Sequence, residues 1–304
     1  MSTAVRRRPP AFLRGPLPLL VPAGVVVAAI TGWPLVQLVI MSLQEFGRAQ
    51  IFGAPPEWVG LANYVDVFTD PTFWAVLGRS LAFCAVNVVA TMVLGVAIAA
   101  LMTRLSRGFR GLVSAGLLLA WAMPPLAATV VWGWLFDTDS GLVNYLLTLV
   151  TGSDWMGHSW LFNPVSFYFV ATVIVTWQSI PFVAFTAYAA LTQVPGEVLE
   201  AASLDGAGAV SRFRLVTLPF IRSVLVVLLV LQIIWDMRVF TQIYALQTIG
   251  GLAEATNTIG VYIYAVSTKG GDLGAGGAIA VVLVVIMLAI SSYYIRATLR
   301  EEEA

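Results

Sequence analysis

A small set of polar residues sits where the sequence is otherwise apolar. The stretch Leu231-Gln-Ile-Ile-Trp-Asp-Met-Arg-Val-Phe-Thr-Gln242 carries Gln232, Trp235, Asp236, Arg238 and Gln242. At about 100° per residue these occupy roughly one half of a helix. Asn87 and Gln178 interrupt two other apolar runs and could line the same cavity. An aromatic face flanked by amide and carboxylate groups is the usual chemistry for holding an uncharged, polyhydroxylated ligand. The same groups can instead tie helix to helix. Asp236 and Arg238 are two residues apart and point in different directions on a helix, so each needs a partner elsewhere.

Other chemistries lack their residues. His158 is the only histidine and Cys84 the only cysteine. That excludes a multi-histidine metal centre, an internal disulfide and a cysteine-ligated zinc site. The only lysine, Lys269, lies in Ser267-Thr-Lys-Gly-Gly271, where it cannot complete a phosphate-cradling loop. No Gly-x-Ser-x-Gly elbow is present, and one loop histidine is poor material for acid–base catalysis. The chain is therefore expected to be no enzyme and to hold no cofactor or metal. If it works with ATP, another polypeptide binds the ATP and Mg. A net charge of zero gives no reason to expect a nucleic-acid partner.

The elements that must position these residues follow from composition. The chain has 304 residues, 59% of them hydrophobic and 11% charged, with a mean hydropathy of +0.89. Soluble domains carry about 25% charged residues, so lipid is the solvent here. A span needs about 20 apolar residues. Six stretches qualify: Leu17–Leu43, Leu77–Met102, Leu112–Phe136, Val165–Leu191, Ile221–Leu246 and Gly274–Ile295. The first follows Arg6, Arg7 and Arg8 as a signal peptide would, but its length, Trp33 and Pro34 argue for a retained span.

Arginine placement sets the orientation. Arg6, Arg7, Arg8, Arg14, Arg104, Arg107, Arg110, Arg212, Arg214, Arg222, Arg296 and Arg300 fall on one side, which is read as cytoplasmic with both termini. The opposite loops are acidic and rich in tryptophan, as an interfacial belt would be. Within one of them, Gly141 to Val150 reads as a short surface helix.

One cytoplasmic loop has a pattern of its own. Pro195 and Gly196 open it, Glu197–Leu204 forms about two helical turns with acids near the N-terminus, and Gly206 supplies a bend. A second short helix is expected over Val210–Val216, before Pro219 starts the next span. On physics alone this elbow could be an ordinary connection or a docking element for another protein. Its residues Glu200-Ala-Ala-x-x-x-Gly206, then nine residues, then Val216-x-Leu-Pro219, resemble the EAA loop of ABC-importer permeases. Asp205, Ala207 and Phe213 agree with the carbohydrate branch of that family. Gly60-Leu-x-Asn-Tyr64, Asp70-Pro71, Phe136, Gly141, Asn144, Trp177, Pro181-Phe182, Gln193-x-Pro195, Phe240, Tyr244, Gly250-Gly251, Thr256 and Tyr262-Ile-Tyr264 extend the resemblance over nearly the whole chain.

The resemblance implies an all-α polytopic membrane protein with the type I ABC importer permease fold, in a bacterial inner membrane. Residues 1–16 would be a cytoplasmic tail, 17–297 the transmembrane domain with its EAA loop at 193–219, and 298–304 a second cytoplasmic tail. The implied partners are an ABC ATPase dimer, a second, paralogous permease, an extracytoplasmic solute-binding protein of lipoprotein type, a carbohydrate and the surrounding lipid. Glu197, Glu200, Ala201, Ala202, Asp205, Gly206 and Phe213 would couple to the ATPase. Asn87, Gln178, Gln232, Trp235, Asp236, Arg238 and Gln242 would line the substrate pathway. Fifteen arginines against one lysine suggest a GC-rich, actinobacterial genome and, within that group, a trehalose-type disaccharide. The alternatives are an ABC permease for a non-sugar solute and a stand-alone secondary carrier.

Overall fold

The computed structural model describes residues 17–302, in two compact units. The expected tail 1–16, with Arg6, Arg7, Arg8 and Arg14, lies outside the described residues.

The first unit runs to Thr69 and takes in residues 266–282. Helix α1, Leu17–Val27, passes through a π turn at Ala28–Gly32 into α2, Trp33–Ser42. Pro34 cannot donate to the carbonyl four residues back and its ring crowds that carbonyl; the wider π turn just before it absorbs the mismatch. None of the apolar window of this span is buried within the chain, so its all-round apolar surface suits lipid or another subunit. Strands β1, Gln44–Glu45, and β2, Glu57–Trp58, then pair antiparallel, flanking the one-turn helix α3, Arg48–Ile51. The Gly60-Leu-x-Asn-Tyr64 motif does local work here. Gly60 sits at φ +60, and both Val59 and Gly60 N–H groups donate to the Leu43 carbonyl. Asn63, on α4 (Ala62–Thr69), donates from Nδ2 to the Ser42 and Gln44 carbonyls, and the Tyr64 and Ser42 hydroxyls lie 2.7 Å apart.

The second unit, residues 70–265 with 283–304, holds the polar set. Asp70 caps α5, Pro71–Arg104, by accepting the Thr72 N–H at 2.8 Å. That bond holds its carboxyl below the usual carboxylate range. Helices α5 and α9 (Pro164–Leu191) run side by side in the same direction. Contacts pair Phe83 with Tyr168, Asn87 with Thr176 and Gly95 with Val183 in rising order. A Cβ on Gly95 would lie 2.6 Å from Val183 Cγ1. Small residues that let backbones approach this closely are how helices associate in lipid, where apolar burial gives no preference for a partner.

Between them come α6 (Arg107–Ala122), α7 (Pro125–Leu135) and α8 (Leu142–Thr151). The stretch expected as one span, Leu112–Phe136, is two helices bent by 104° at Met123–Pro124. Two consecutive prolines remove two N–H donors, which ends α6 and opens α7. The expected surface helix is present as α8. After α9 come α10 (Gly196–Leu204), α11 (Ala209–Arg212), a π turn at Phe213–Thr217 and α12 (Leu218–Phe220). The second short helix expected over Val210–Val216 is therefore α11 plus a π turn.

The stretch Ile221–Leu246 is also interrupted. Helix α13, Arg222–Met237, stops at Arg238–Phe240, and α14, Thr241–Ile249, resumes. Short α15 (Ala253–Thr256) and α16 (Ile259–Tyr264) lead to α17, Leu273–Glu302, which extends into the region expected as a tail from 298. Among the described residues five helices are long and apolar enough to span a membrane, and the bent α6–α7 pair makes a sixth if counted as one. The chain is a multi-pass, all-α membrane protein.

Candidate functional site

The elbow is built from its own backbone. Pro195 precedes α10, Glu197 lies in its first turn, and the helix ends because Gly206 adopts φ +79. A residue with Cβ enters that region only at a cost of about 1–2 kcal/mol. The Gly206 N–H donates to the Ser203 carbonyl at 3.1 Å and the Ala207 N–H to the Ala202 carbonyl at 3.0 Å. These are the paired bonds of a Schellman termination, which satisfies the last carbonyls of the helix without help from other elements. Arg212 on α11 hydrogen-bonds the Ser203 hydroxyl and folds the second arm onto the first.

Glu197, Glu200, Ala201, Asp205 and Gly206 are exposed, while Ala202 and Phe213 are half-buried. Around them stand apolar side chains with nothing over them: Leu204 is 89% exposed, Val210 81% and Leu215 70%. Phe213 turns inward. With Met92, Val96 and Leu225 it lines a cavity of about 770 Å³ between α5 and α13. The elbow thus joins α9 to α13 and turns Phe213 inward, while its acids and apolar tips face outward.

The polar set inside the spans is arranged differently from the single helical face expected. Gln232 (1% exposed) and Asp236 (4%) turn into the bundle, whereas Trp235 (41%) and Arg238 turn outward. Gln242 lies beyond the break, on α14. Trp235 and Asp236 are about 100° apart on the unbroken α13, so a grouping half a helix wide takes in both an inward and an outward direction. The break removes only Gln242 from the count. Asp236 also has its partner on its own helix: Gln232 Nε2 donates to Asp236 Oδ1 at 3.0 Å. That corrects the expectation of a partner elsewhere. Gln232 Oε1 and Asp236 Oδ2 remain buried without a hydrogen bond. Asn87 is fully buried; it donates to the Phe83 carbonyl at 2.7 Å and accepts from Thr176 Oγ1 at 3.4 Å, joining α5 to α9.

Gln178 donates to the Met123 carbonyl at 3.2 Å and accepts from Gln242 at 3.0 Å. Trp235 packs on Phe182 with ring centroids 4.8 Å apart, so α13 and α9 present a paired aromatic surface. Phe182 was signalled in the sequence only through the Pro181-Phe182 pair of the family resemblance, which says nothing of its contact with Trp235. Thr258, whose hydroxyl donates to the Val239 carbonyl at the fifth-span break, carried none.

At the opposite end from the elbow, Asn144 is fully buried and organises a loop. Its Nδ2 donates to the Asp137, Thr138 and His158 carbonyls, and its Oδ1 accepts from Trp160 Nε1 at 2.7 Å. Asp137 accepts the Ser140 N–H and hydroxyl, which holds its carboxyl below the usual range.

Comparison with known proteins bears on this arrangement. Residues 91–300 match the family described as binding-protein-dependent transport system inner membrane component. The sequence is 42% identical to the diacetylchitobiose uptake system permease protein of Streptomyces coelicolor, over 99% of this chain and 92% of that one. It is 32% identical to the trehalose/maltose transport system permease protein of Thermococcus litoralis, over 79% of each. In fold it resembles a chain of a bacterial alginate ABC transporter, solved with its alginate pentasaccharide-bound periplasmic protein. The TM-score is 0.77, with 91% of both chains covered at 20% identity.

Proposed function

The chain belongs to the inner-membrane component family of binding-protein-dependent transport systems, and we propose that it passes a disaccharide inward as half of the pathway of an ATP-driven importer. It is the non-catalytic permease subunit. ATP and Mg are bound by a separate ATPase dimer seated on the elbow. A second, paralogous permease supplies the other half of the pathway, and an extracytoplasmic binding protein delivers the solute. The elbow faces the cytoplasm with both termini, a reading that the arginine distribution supports.

The observation that carries this reading is the elbow itself. Its hydrogen bonds close internally, leaving exposed acids and exposed Leu204, Val210 and Leu215 for a partner. A rigid, self-contained element can transmit a displacement from a partner to the spans that anchor it. Phe213 and the α5–α13 cavity are where that displacement enters the bundle. At the other end of α13, exposed Trp235 backed by Phe182 offers a ring face on which a pyranose can stack. Arg238 and the amides nearby supply hydrogen bonds.

Diacetylchitobiose is the first solute to test, because the relative at 42% identity is named for its uptake; trehalose and maltose come next. The complex is purified through this chain, reconstituted with its binding protein and ATP, and offered each labelled sugar. ATP-dependent uptake of one disaccharide is expected. A permease that purifies without an ATPase, or takes up solute without ATP, contradicts the reading.

A further inference from the structure

Two spans of this chain are broken, and their breaks are tied together. At the first, between Ala122 and Pro125, the turn of 104° and the two prolines leave the Met123 carbonyl outside the helical ladder. In an apolar surrounding that carbonyl needs a donor. Gln178, from the middle of α9, provides it at 3.2 Å. The Gln178 carbonyl oxygen in turn accepts from Gln242 at 3.0 Å. Gln242 lies in the first turn of α14, directly after the second break at Arg238–Phe240. There the Val239 carbonyl accepts from Thr258 Oγ1 at 3.3 Å. Beyond the two breaks, α7 and α14 pack so tightly that a Cβ on Gly133 would lie 2.8 Å from Ile249 Cδ1.

We propose that Gln178 and Gln242 are positioning residues that fasten the break in the third span to the break in the fifth, so that α7 and α14 travel as one piece during the transport cycle. Both polar ends of the Gln178 amide are engaged, and the chain of bonds crosses from one bent span to the other. A helix break is where a span can hinge. Two linked breaks make the half-helices beyond them a single moving body. The inference rests on the reading of the chain as a permease, but its test does not need the transported solute.

The assembled complex is labelled with nitroxides at Trp134→Cys and Thr248→Cys, exposed positions on α7 and α14. Cys84 is buried and stays unlabelled. Dipolar EPR is then read without nucleotide and with ATP and vanadate. With both glutamines present, the spin–spin separation is expected to be the same in both states. Gln242→Met keeps the side-chain length and leaves the Met123 carbonyl bonded to Gln178, so folding is spared. It should spread the separation in either state. It should also lower binding-protein-stimulated ATP hydrolysis about three- to fivefold. Combining it with Gln178→Met should add no further loss to that of the more damaging single variant.

A separation that changes between nucleotide states with both glutamines present overturns the inference. So does Gln242→Met leaving both readouts unchanged. A purified chain that carries no ATPase contradicts the permease reading instead. In that case the nucleotide-free comparison of Gln242→Met with the native chain still decides this inference.

Discussion

The elbow at one end of the bundle and the polar set in its middle are held in opposite ways. The elbow closes its bonds within a dozen residues: Gly206 to Ser203, Ala207 to Ala202, Arg212 to Ser203. The middle set closes its bonds across the fold: Gln242 to Gln178, Gln178 to Met123, Asn87 to Thr176. The first is a module whose shape survives whatever happens to its neighbours. The second exists only when four helices are in place. On the proposed reading, a substitution in the elbow therefore reaches the partner and little else, whereas one in the middle mixes packing with passage.

The largest effect is expected at Gly206. No atom lies within 4 Å of a Cβ built there, so Gly206→Val acts through backbone strain and a reshaped bend. Uptake should fall at least tenfold with the spans intact, and Gly206→Asn, which tolerates the left-handed region better, should retain more. Equal uptake in the two variants would break the comparison by making the bend irrelevant. Next comes Asn144→Leu, which takes the side-chain donor from the Asp137, Thr138 and His158 carbonyls and leaves the Trp160 N–H without its acceptor. A polar group left without a partner inside the fold costs about 1–3 kcal/mol, so thermal stability should drop clearly in detergent while any complex that forms still couples ATP to uptake.

Trp235→Ala should raise the solute concentration needed for half-maximal uptake severalfold and leave unstimulated ATP hydrolysis unchanged. A loss of assembly would move Trp235 to the packing side of the comparison. Asp236→Asn sharpens the same boundary from below. The amide still accepts from Gln232, so uptake should change less than twofold. A large loss would show that the charge itself is needed.

The smallest effect is expected outside both regions. The Asp70 carboxyl is held below its ordinary value mainly because its charged form accepts the Thr72 N–H. A depressed value means that this stabilisation is fully present above the unfolded carboxylate range and is lost as pH falls through the folded value. Asp70→Asn keeps a capping oxygen. It should be neutral near pH 7 and remove a small part of the acid-side loss in melting temperature.

This contrast also explains what could be read from residues alone. The elbow was legible to within a residue at each end of α10, because a Pro-Gly opening, acids in the first turn and a glycine stop are local signals. The spans were legible as apolar runs. Their breaks were not read, although Pro124-Pro125 carried a signal for one. Arg238-Val-Phe240 carries no glycine or proline, and that break is set by tertiary contacts such as Thr258 on the Val239 carbonyl. Since the face of a helix is counted from an unbroken helix, the second break took Gln242 out of the grouping, while Trp235 left it because a half-helix arc is wider than the inward face that Gln232 and Asp236 share. Which way Asn87 turns depends on Thr176, a residue that no spacing in the sequence connects to it.

The account stands most directly on the claim that the elbow couples and the middle selects. The deciding measurement is the number of disaccharide molecules taken up per ATP hydrolysed in proteoliposomes, compared between Gly206→Val and Trp235→Ala at saturating solute. The account predicts that Gly206→Val lowers this ratio severalfold and that Trp235→Ala leaves it at the native value once solute is saturating. A native ratio in Gly206→Val, or a ratio lowered only by Trp235→Ala, would contradict it.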